Sequence, residues 1–138
     1  MTETAVEVVG GGADALVSAA AISDYTIEAS DEKIRSGGEL TLELEPTPKL
    51  LDTVRASAPD LTMVGFKLET EGDDERLVAT AREQLARVGL SFVVANRADA
   101  LAGDETRVII VREAETTSYT GPKTAVANDI ADELAVEL

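Results

Sequence analysis

The sequence predicts an α/β domain built on a Rossmann-like, mainly parallel sheet with helices on both faces. Short runs of Val, Leu, Ile and Ala that suit buried strands recur along the chain, and amphipathic stretches lie between them. The length of 138 residues is enough for one ordinary domain and too small for two. Buried strands that alternate with amphipathic helices are typical of a parallel sheet covered on both sides.

The individual elements follow from hydrophobic period and from turn residues. Strands are predicted at 13–21, 61–66, 90–95 and 107–111. The first is predicted to be buried on both faces, because its small apolar residues do not alternate with polar ones. Helices are predicted at 2–9, 49–58, 73–88 and 124–138. Leucines alternate with Thr and Glu at 40–44, which predicts a half-buried strand, and a turn is predicted at 119–123.

The absence of two residue types limits the chemistry that the chain can perform. It contains no Cys and no His, which excludes thiol nucleophiles, disulfides, imidazole bases and the usual zinc sites. Catalysis would have to use Lys, Arg, carboxylates, hydroxyls, amides or the main chain. No apolar run reaches the length of a membrane span and no secretion leader is recognisable, so we expect a cytoplasmic protein without a membrane partner.

The chain is strongly acidic, with 27 Asp and Glu against 12 Lys and Arg and a net charge of -15. Nucleic acid is therefore not expected as a partner, because non-specific binding needs clustered Lys and Arg. An acidic domain that is poor in Lys and rich in Ala and Val resembles proteins of extreme halophiles. Concentrated salt screens the self-repulsion of such proteins, and we expect a halophilic source.

Ligands of open α/β sheets bind at the carboxyl ends of the strands. The segments predicted to lie there are 19–24, 66–70 and 95–96. The small side chains of Ala20 and Ala21 would let a flat ring approach the main chain; the alternative is tight packing of a strand against a helix. Lys33 suits a phosphate-binding point charge, and the alternative is a surface lysine paired with a neighbouring acid.

The sequence Gly-Gly-Gly-Ala-Asp-Ala at 10–15 matches a loose dinucleotide fingerprint, Gly-x-Gly-x-x-Ala. That fingerprint requires a strand before the glycines and a helix after them, whereas a helix is predicted before them and a strand after. We interpret the glycines as a loop that ends a helix. A Rossmann-like enzyme that binds NAD is therefore disfavoured as an interpretation of this chain.

Five segments of the chain form a recognisable series. They are Ala-Ala-Ala-Ile-Ser-Asp-Tyr at 19–25, Glu-Lys-Ile-Arg at 32–35 with Gly-Glu-Leu-Thr-Leu at 38–42, Pro-Thr-Pro-Lys-Leu-Leu at 46–51, Val-Gly-Phe-Lys-Leu-Glu-Thr at 64–70 and Val-Val-Ala-Asn at 93–96. Taken in this order, they resemble segments of the phosphopantothenoylcysteine synthetases (phosphopantothenate–cysteine ligases). Together they span nearly the whole chain. The resemblance identifies residues 1–138 as the C-terminal portion of the synthetase domain of the bifunctional decarboxylase/synthetase flavoprotein family.

The resemblance implies a ligase of coenzyme A biosynthesis that joins cysteine to 4′-phosphopantothenate through an acyl-nucleotide. The nucleotide substrate is CTP in most microbial members, with ATP as the other possibility, and Mg²⁺ assists by neutralising phosphate charge. FMN belongs only to a fused decarboxylase domain, which nothing in this chain resembles. Members of the family are homodimers, and the strand predicted at 40–44 is the candidate dimer element.

The resemblance also implies a nucleotide site at particular positions. Ala20, Ala21 and Asp24 would contact the nucleotide, and the helix start would offer main-chain N–H groups to phosphate oxygens. Lys33 would bind the phosphates and stabilise the charge that builds up during acyl transfer, which makes it the candidate catalytic residue. The helix-start positions are Pro48, which is predicted in the first turn, Lys49, Leu50 and Leu51. Phe66 would pack against the nucleotide, and no metal ligand in the protein is implied.

Two departures from the family pattern qualify this expectation. Basic residues are usual in the helix after Phe66, but the matching positions are Gln84 and Val88, with Arg82 and Arg87 as neighbouring substitutes. The N-terminal Gly-rich loop and the Asn-containing segment of the family are missing. We therefore expect a fragment, truncated at the N-terminus and inactive alone; the alternative is a non-catalytic binding or assembly module that kept the fold.

Overall fold

Seven strands and four helices make up the part of the chain described by the computed structural model, which comprises residues 1–27, 37, 39, 41–98 and 103–138. The helices are α1 (Thr2–Gly10), α2 (Leu50–Ser57), α3 (Asp74–Val88) and α4 (Lys123–Val136). The strands are β1 (Ala15–Ser18), β2 (Tyr25–Thr26), β3 (Glu45–Pro46), β4 (Thr62–Glu69), β5 (Phe92–Arg97), β6 (Glu105–Val111) and β7 (Thr116–Pro122).

The main sheet contains five strands in the order β1-β4-β5-β6-β7. β4 pairs in parallel with β1 on one side and β5 on the other, so that Val64 lies between Val17 and Phe92. β6 is antiparallel to both β5 and β7, and four of the five strands therefore run in the same direction. The predicted mainly parallel, Rossmann-like sheet is confirmed.

Two clusters of buried side chains, one on each face of the sheet, hold the helices in place. The first cluster contains Val9 of α1, Val54 of α2 and Ala81 of α3. The second contains Val126 of α4 together with Phe92 of β5, and both side chains are almost completely buried. Burial of apolar surface on both sides of the sheet stabilises this arrangement. The prediction of helices on both faces is therefore confirmed.

The prediction that the first strand is buried on both faces is wrong. β1 is only four residues long and lies at the edge of the sheet. Leu16 packs against the first cluster, but Val17 on the opposite face is 42% exposed. α4, the helix on that face, packs against β6 and β7 at the other edge. A run of small apolar residues thus predicts a strand here, but it does not show whether the strand is central in the sheet or which helices cover its faces.

The half-buried strand predicted at 40–44 is also wrong. Residues 41–44 are irregular, and Leu40 lies outside the described residues. The strand begins later, at β3, which pairs with β2 as a separate antiparallel ribbon. Leu42 and Leu44 are 52% and 59% exposed, so the alternating leucines face no core that would hold them in a strand.

The turn predicted at 119–123 is wrong as well, since most of that segment belongs to β7. β7 pairs with β6 along its whole length, from Thr116 opposite Val111 to Pro122 opposite Glu105. Its residues are mostly exposed because β7 is the outer strand of the sheet, and this polarity imitates a loop. Among the exposed residues, β-branched Thr116 and Thr117 suit an extended chain.

The ends of the helices follow local chemistry closely. Asp73 accepts a hydrogen bond of 2.9 Å from the main-chain N–H of Arg76 at the start of α3, and Gly89 ends that helix in the left-handed conformation, at φ 73°. α2 begins one residue later than predicted: Lys49 is its cap residue, so Pro48 precedes the helix instead of lying in its first turn.

No helix in the described part of the chain is long and apolar enough to cross a membrane.

A polar network fastens α4 to the sheet. Arg112 lies over the ring of Phe92, 5.0 Å from its centroid, and donates a hydrogen bond of 2.9 Å to Glu133. Tyr119 donates a second hydrogen bond to Glu133, at 2.5 Å. That bond lowers the pKa of Glu133 below its usual value and raises the pKa of Tyr119. The folded chain therefore favours the ionised carboxyl and the neutral phenol.

Candidate functional site

A cleft of about 590 Å³ opens at the carboxyl ends of β1 and β4. One side is formed by the segment that follows β1, and another by the start of α2. The end of β4 and one face of α3 complete the lining. This is where ligands bind in open α/β sheets, because the chain connections diverge there and leave a crevice.

The cleft brings together eight of the nine positions proposed for the nucleotide site from sequence. They are Ala20, Ala21, Asp24, Pro48, Lys49, Leu50, Leu51 and Phe66. Lys33, the ninth position and the candidate catalytic residue, lies outside the described residues. The eight positions come from three separate segments of the chain, and their convergence is a property of the fold.

Hydrogen bonds hold two of these segments against each other. The main-chain N–H of Thr47 donates to the carbonyl of Asp24 at 2.9 Å, and the Thr47 hydroxyl donates to the carbonyl of Ser23. Ala20 and Ala21 are exposed, which contradicts the alternative that they pack a strand against a helix. Their main chain is therefore open to a ligand in the cleft.

The start of α2 presents main-chain groups to the cleft. The first main-chain bond of the helix runs from the N–H of Thr53 to the carbonyl of Lys49, at 3.0 Å. The three preceding N–H groups, from Leu50 to Asp52, have no partner within the helix, as at any helix start. The side chain of Leu50 is buried in the first cluster. Leu50 can therefore contact a ligand only through its main chain, where the helix dipole favours an anion.

Phe66 lines the cleft but is shared with the core. Its side chain is partly buried and packs against the second cluster, which contains Val64 and Phe92. Successive side chains of a strand point to opposite faces, so Phe66 and Val64 lie on the face covered by α4. The ring therefore forms the margin of the cleft, and part of it is accessible to a ligand.

One face of α3 forms the remaining wall, through Thr80, Glu83, Gln84 and Arg87. Val88, one of the two positions where the family has basic residues, is buried in the core and does not face the cleft. Of the two neighbouring arginines, Arg87 lines the cleft, whereas Arg82 is exposed and is not part of its lining. Arg87 is therefore the substitute that the geometry favours.

Sequence reasoning missed several residues of this lining, notably Asp52, Thr80 and Glu83. The spacing i, i+3, i+4, i+7 from Thr80 to Arg87 marks a single helical face and is a signal that could have found that wall. Asp52 carried no such signal. It joins Arg87 by an ion pair between Oδ1 and Nη1, across 35 residues of sequence.

The described lining carries equal numbers of positive and negative side chains, so it offers an anionic ligand no net positive charge. Three side chains are positive and three are negative, namely Lys49, Lys67, Arg87, Asp24, Asp52 and Glu83. Two buried oxygen atoms of the lining, Asp52 Oδ2 and Gln84 Oε1, have no hydrogen-bond partner among the residues that the structure describes. Neither atom is open to the cleft, and no group of three or more acidic side chains that could hold a metal occurs within the described residues, so the described lining offers no ready-made protein site for Mg²⁺.

Comparison with known proteins identifies related sequences. The family model described as the DNA/pantothenate metabolism flavoprotein C-terminal domain matches residues 1–137. The bifunctional coenzyme A biosynthesis protein CoaBC of Thermococcus kodakarensis is 44% identical over 106 residues, which cover 76% of this chain and 26% of that protein. The CoaBC protein of Methanocaldococcus jannaschii is 32% identical over 123 residues, 88% of this chain and 30% of that protein. The chain thus spans less than a third of the length of these relatives.

Solved structures share the fold. The DNA/pantothenate metabolism flavoprotein of Streptococcus pneumoniae superposes with a TM-score of 0.83 at 23% identity, over 98% of this chain and 68% of that chain. A Cab2 mutant in complex with phosphopantothenate-cysteine superposes with a TM-score of 0.63 at 25% identity, over 86% of this chain and 44% of that chain. These comparisons confirm the family resemblance and the fold.

Proposed function

We propose that this chain, which belongs to the DNA/pantothenate metabolism flavoprotein C-terminal domain family, acts in coenzyme A biosynthesis as the nucleotide-contacting portion of a phosphopantothenate–cysteine ligase. The observation that carries the proposal is the cleft itself. Three segments that resemble the nucleotide-binding motifs of the family meet there, and the side chains and main chain they present suit a nucleoside triphosphate.

The proposed reaction has two steps. The carboxylate of 4′-phosphopantothenate attacks the α-phosphorus of CTP, which forms an acyl-cytidylate and releases pyrophosphate. The amine of cysteine then attacks the acyl carbon, which forms the amide and releases CMP. CTP is favoured over ATP because the resemblance implies it. Mg²⁺ bound to the phosphates would supply the charge neutralisation that the balanced lining of the cleft does not.

The residues of this chain are assigned three tasks in that reaction. The exposed main chain at Ala20 and Ala21 reads the edge of the base, while Asp24 lies beside it. The N–H groups at the start of α2 bind phosphate oxygens. Lys33 binds the phosphates as a point charge and stabilises the negative charge that develops on them during acyl transfer. For the isolated chain we propose nucleotide binding without ligation, since it spans less than a third of the length of the CoaBC relatives.

Calorimetric titration of the chain with CTP, and then with ATP, tests this proposal. In molar KCl with Mg²⁺ we expect saturable binding of CTP, and Lys33→Ala is expected to weaken it by about tenfold, equivalent to 1.4 kcal/mol. Lys123→Ala, which removes a lysine at the start of the remote helix α4, serves as the matched control and should leave the affinity unchanged. Failure of both nucleotides to bind would contradict the proposal and favour the non-catalytic module.

We also propose that the chain forms a homodimer through the ribbon of β2 and β3 and the irregular segment beside it. Tyr25, Ile27, Leu42 and Leu44 are all exposed there, and exposed apolar clusters commonly mark contact surfaces. Light scattering should give twice the chain mass of 14.5 kDa. The double change Leu42→Asp and Leu44→Asp should halve that mass, whereas Val136→Asp, at the exposed end of α4, should not. A wild-type mass of 14.5 kDa would contradict the dimer, and a double variant that keeps twice that mass would contradict this contact surface.

A further inference from the structure

The segment that follows β1 lines the cleft, and none of the described strands pairs with it. Residues 19–24 are irregular, and Ala20 and Ala21, whose main chain is proposed to read the base, lie exposed within them. β1 holds the start of the segment, because its last residue, Ser18, pairs with Gly65 of β4. The arrangement of the exposed residues therefore depends on what holds the far end.

Thr47 holds that far end with two hydrogen bonds. Its hydroxyl donates to the carbonyl of Ser23, and its main-chain N–H donates to the carbonyl of Asp24 at 2.9 Å. The second bond continues the ribbon of β2 and β3, since it lies next to the pair formed by Tyr25 and Pro46. The first bond is made by a side chain, so it depends on which residue occupies position 47.

These bonds orient two successive peptide units. A peptide unit is planar, so a carbonyl held by a hydrogen bond also fixes the direction of the N–H group in the same unit. The N–H groups set in this way are those of Asp24 and Tyr25, and the Tyr25 N–H donates to the hydroxyl of Ser23 at 3.3 Å. The end of the segment is therefore held in one arrangement.

Thr47 also stands beside the groups proposed to bind phosphate. Pro48 follows it, and Lys49 is the cap residue of α2, whose first N–H groups are assigned to phosphate oxygens. Thr47 itself lines the cleft. One residue thus connects the segment assigned to the base with the helix start assigned to the phosphates, and it limits how far apart they can move.

We propose that Thr47 is a positioning residue, whose hydroxyl holds the base-reading segment in register with the phosphate-binding start of α2. The inference rests on the proposed function and adds to it a residue that orders the contact residues. Without the hydroxyl bond the segment gains conformations that a bound base must remove, and the entropy of ordering it is subtracted from the affinity. The phosphates are unaffected, because the N–H groups of α2 are oriented by the helix itself.

Calorimetric titration with two ligands, in molar KCl with Mg²⁺, tests this inference. The ligands are CTP and inorganic tripolyphosphate, which has three phosphates and no base. Thr47→Val removes the hydroxyl but keeps the shape of the side chain and the main-chain N–H. We expect it to weaken CTP binding about fivefold and to leave the affinity for tripolyphosphate unchanged. Thr47→Ser, which keeps a hydroxyl donor, should bring CTP affinity back to within about twofold of wild type.

Thr53→Val is the matched control. The hydroxyl of Thr53 also donates to a main-chain carbonyl, that of Lys49 at 3.0 Å, but Thr53 lies within α2 and is not part of the cleft lining. This variant should leave both affinities unchanged. Thermal unfolding of each variant without ligand verifies that it is folded.

The outcomes that would overturn the inference are distinguishable. If Thr47→Val weakens CTP and tripolyphosphate by the same factor, or leaves CTP affinity at the wild-type value, the hydroxyl does not position the base-reading segment. If the wild-type chain binds CTP no more tightly than tripolyphosphate, the segment adds nothing to binding, and the inference fails while the phosphate site stands. If the wild-type chain binds neither ligand, the proposed function fails and the positioning role fails with it.

Discussion

Replacement of Arg55 by alanine is expected to lower the free energy of unfolding by about 3 kcal/mol. This arginine of α2 donates hydrogen bonds to five main-chain carbonyl oxygens. They belong to Ala58, Pro59, Leu61, Val88 and Gly89. The first three lie in the connection from α2 to β4, and the last two lie at the end of α3. One side chain therefore joins two chain segments that are far apart in sequence.

The size of the expected effect follows from the carbonyl groups that would lose their donor. Several of these hydrogen bonds are partly buried, so water cannot readily replace the lost donor to these carbonyl oxygens. Lysine is expected to be almost as damaging as alanine, because its ammonium group cannot reproduce the forked geometry of the guanidinium group.

Urea denaturation in constant KCl measures this prediction. Arg82→Ala is the matched control, since Arg82 is an exposed arginine on α3, and it should change the free energy of unfolding by less than about 0.5 kcal/mol. A cost below about 1 kcal/mol for Arg55→Ala would show that water replaces the guanidinium group, contrary to our expectation.

The parts of the fold that sequence predicted are those decided by local chemistry. α3 is predicted with nearly its observed bounds because acidic residues precede it and Gly89 ends it; in the structure Asp73 caps its first turn and Gly89 is left-handed. β4 and β5 were predicted from continuous apolar runs. In each case the information lies within a few residues of the element itself.

The parts that sequence did not predict depend on neighbours distant in the chain. β7 is polar, and residues 119–123 are predicted as a turn, because the pairing of β7 with β6 and its outer position depend on tertiary structure. β1 is predicted as a strand buried on both faces, but its exposure depends on its partner β4 and on the position of α4, which local sequence does not specify.

The candidate site likewise contains residues that local sequence predicts and residues that only tertiary packing brings together. Asp24, Lys49 and Phe66 were found because strand ends and family motifs are readable in sequence. The pair of Asp52 and Arg87 was not found, since it depends on how α2 and α3 pack together. The sequence predicts Arg87 only as a substitute for the missing basic residues; its place in the cleft depends on the packing of α3, which buries Val88 in the core.

A methyl group added at Gly65 is expected to lower the free energy of unfolding by about 2 kcal/mol and to disturb the cleft at the same time. Gly65 lies within β4, opposite Ser18 of β1 and Val93 of β5. A β-carbon there would lie 2.8 Å from Cδ1 of Leu90 and 3.2 Å from Nε2 of Gln84. Leu90 is buried and has little room to withdraw, so Gln84 is expected to be displaced.

Two measurements separate the consequences of Gly65→Ala. Urea denaturation reports the packing cost, and Leu90→Val, which removes the clashing carbon, should reduce that cost by about half in the double variant. The dissociation constant of CTP in MgCl₂ reports the disturbance of the cleft wall at Gln84 and should rise in both backgrounds. Gly10→Ala is the control, because a β-carbon there meets nothing within 4 Å. A Gly65→Ala protein of unchanged stability would mean that Leu90 and Gln84 move aside freely, and an unchanged CTP affinity would mean that the position of Gln84 does not affect nucleotide binding.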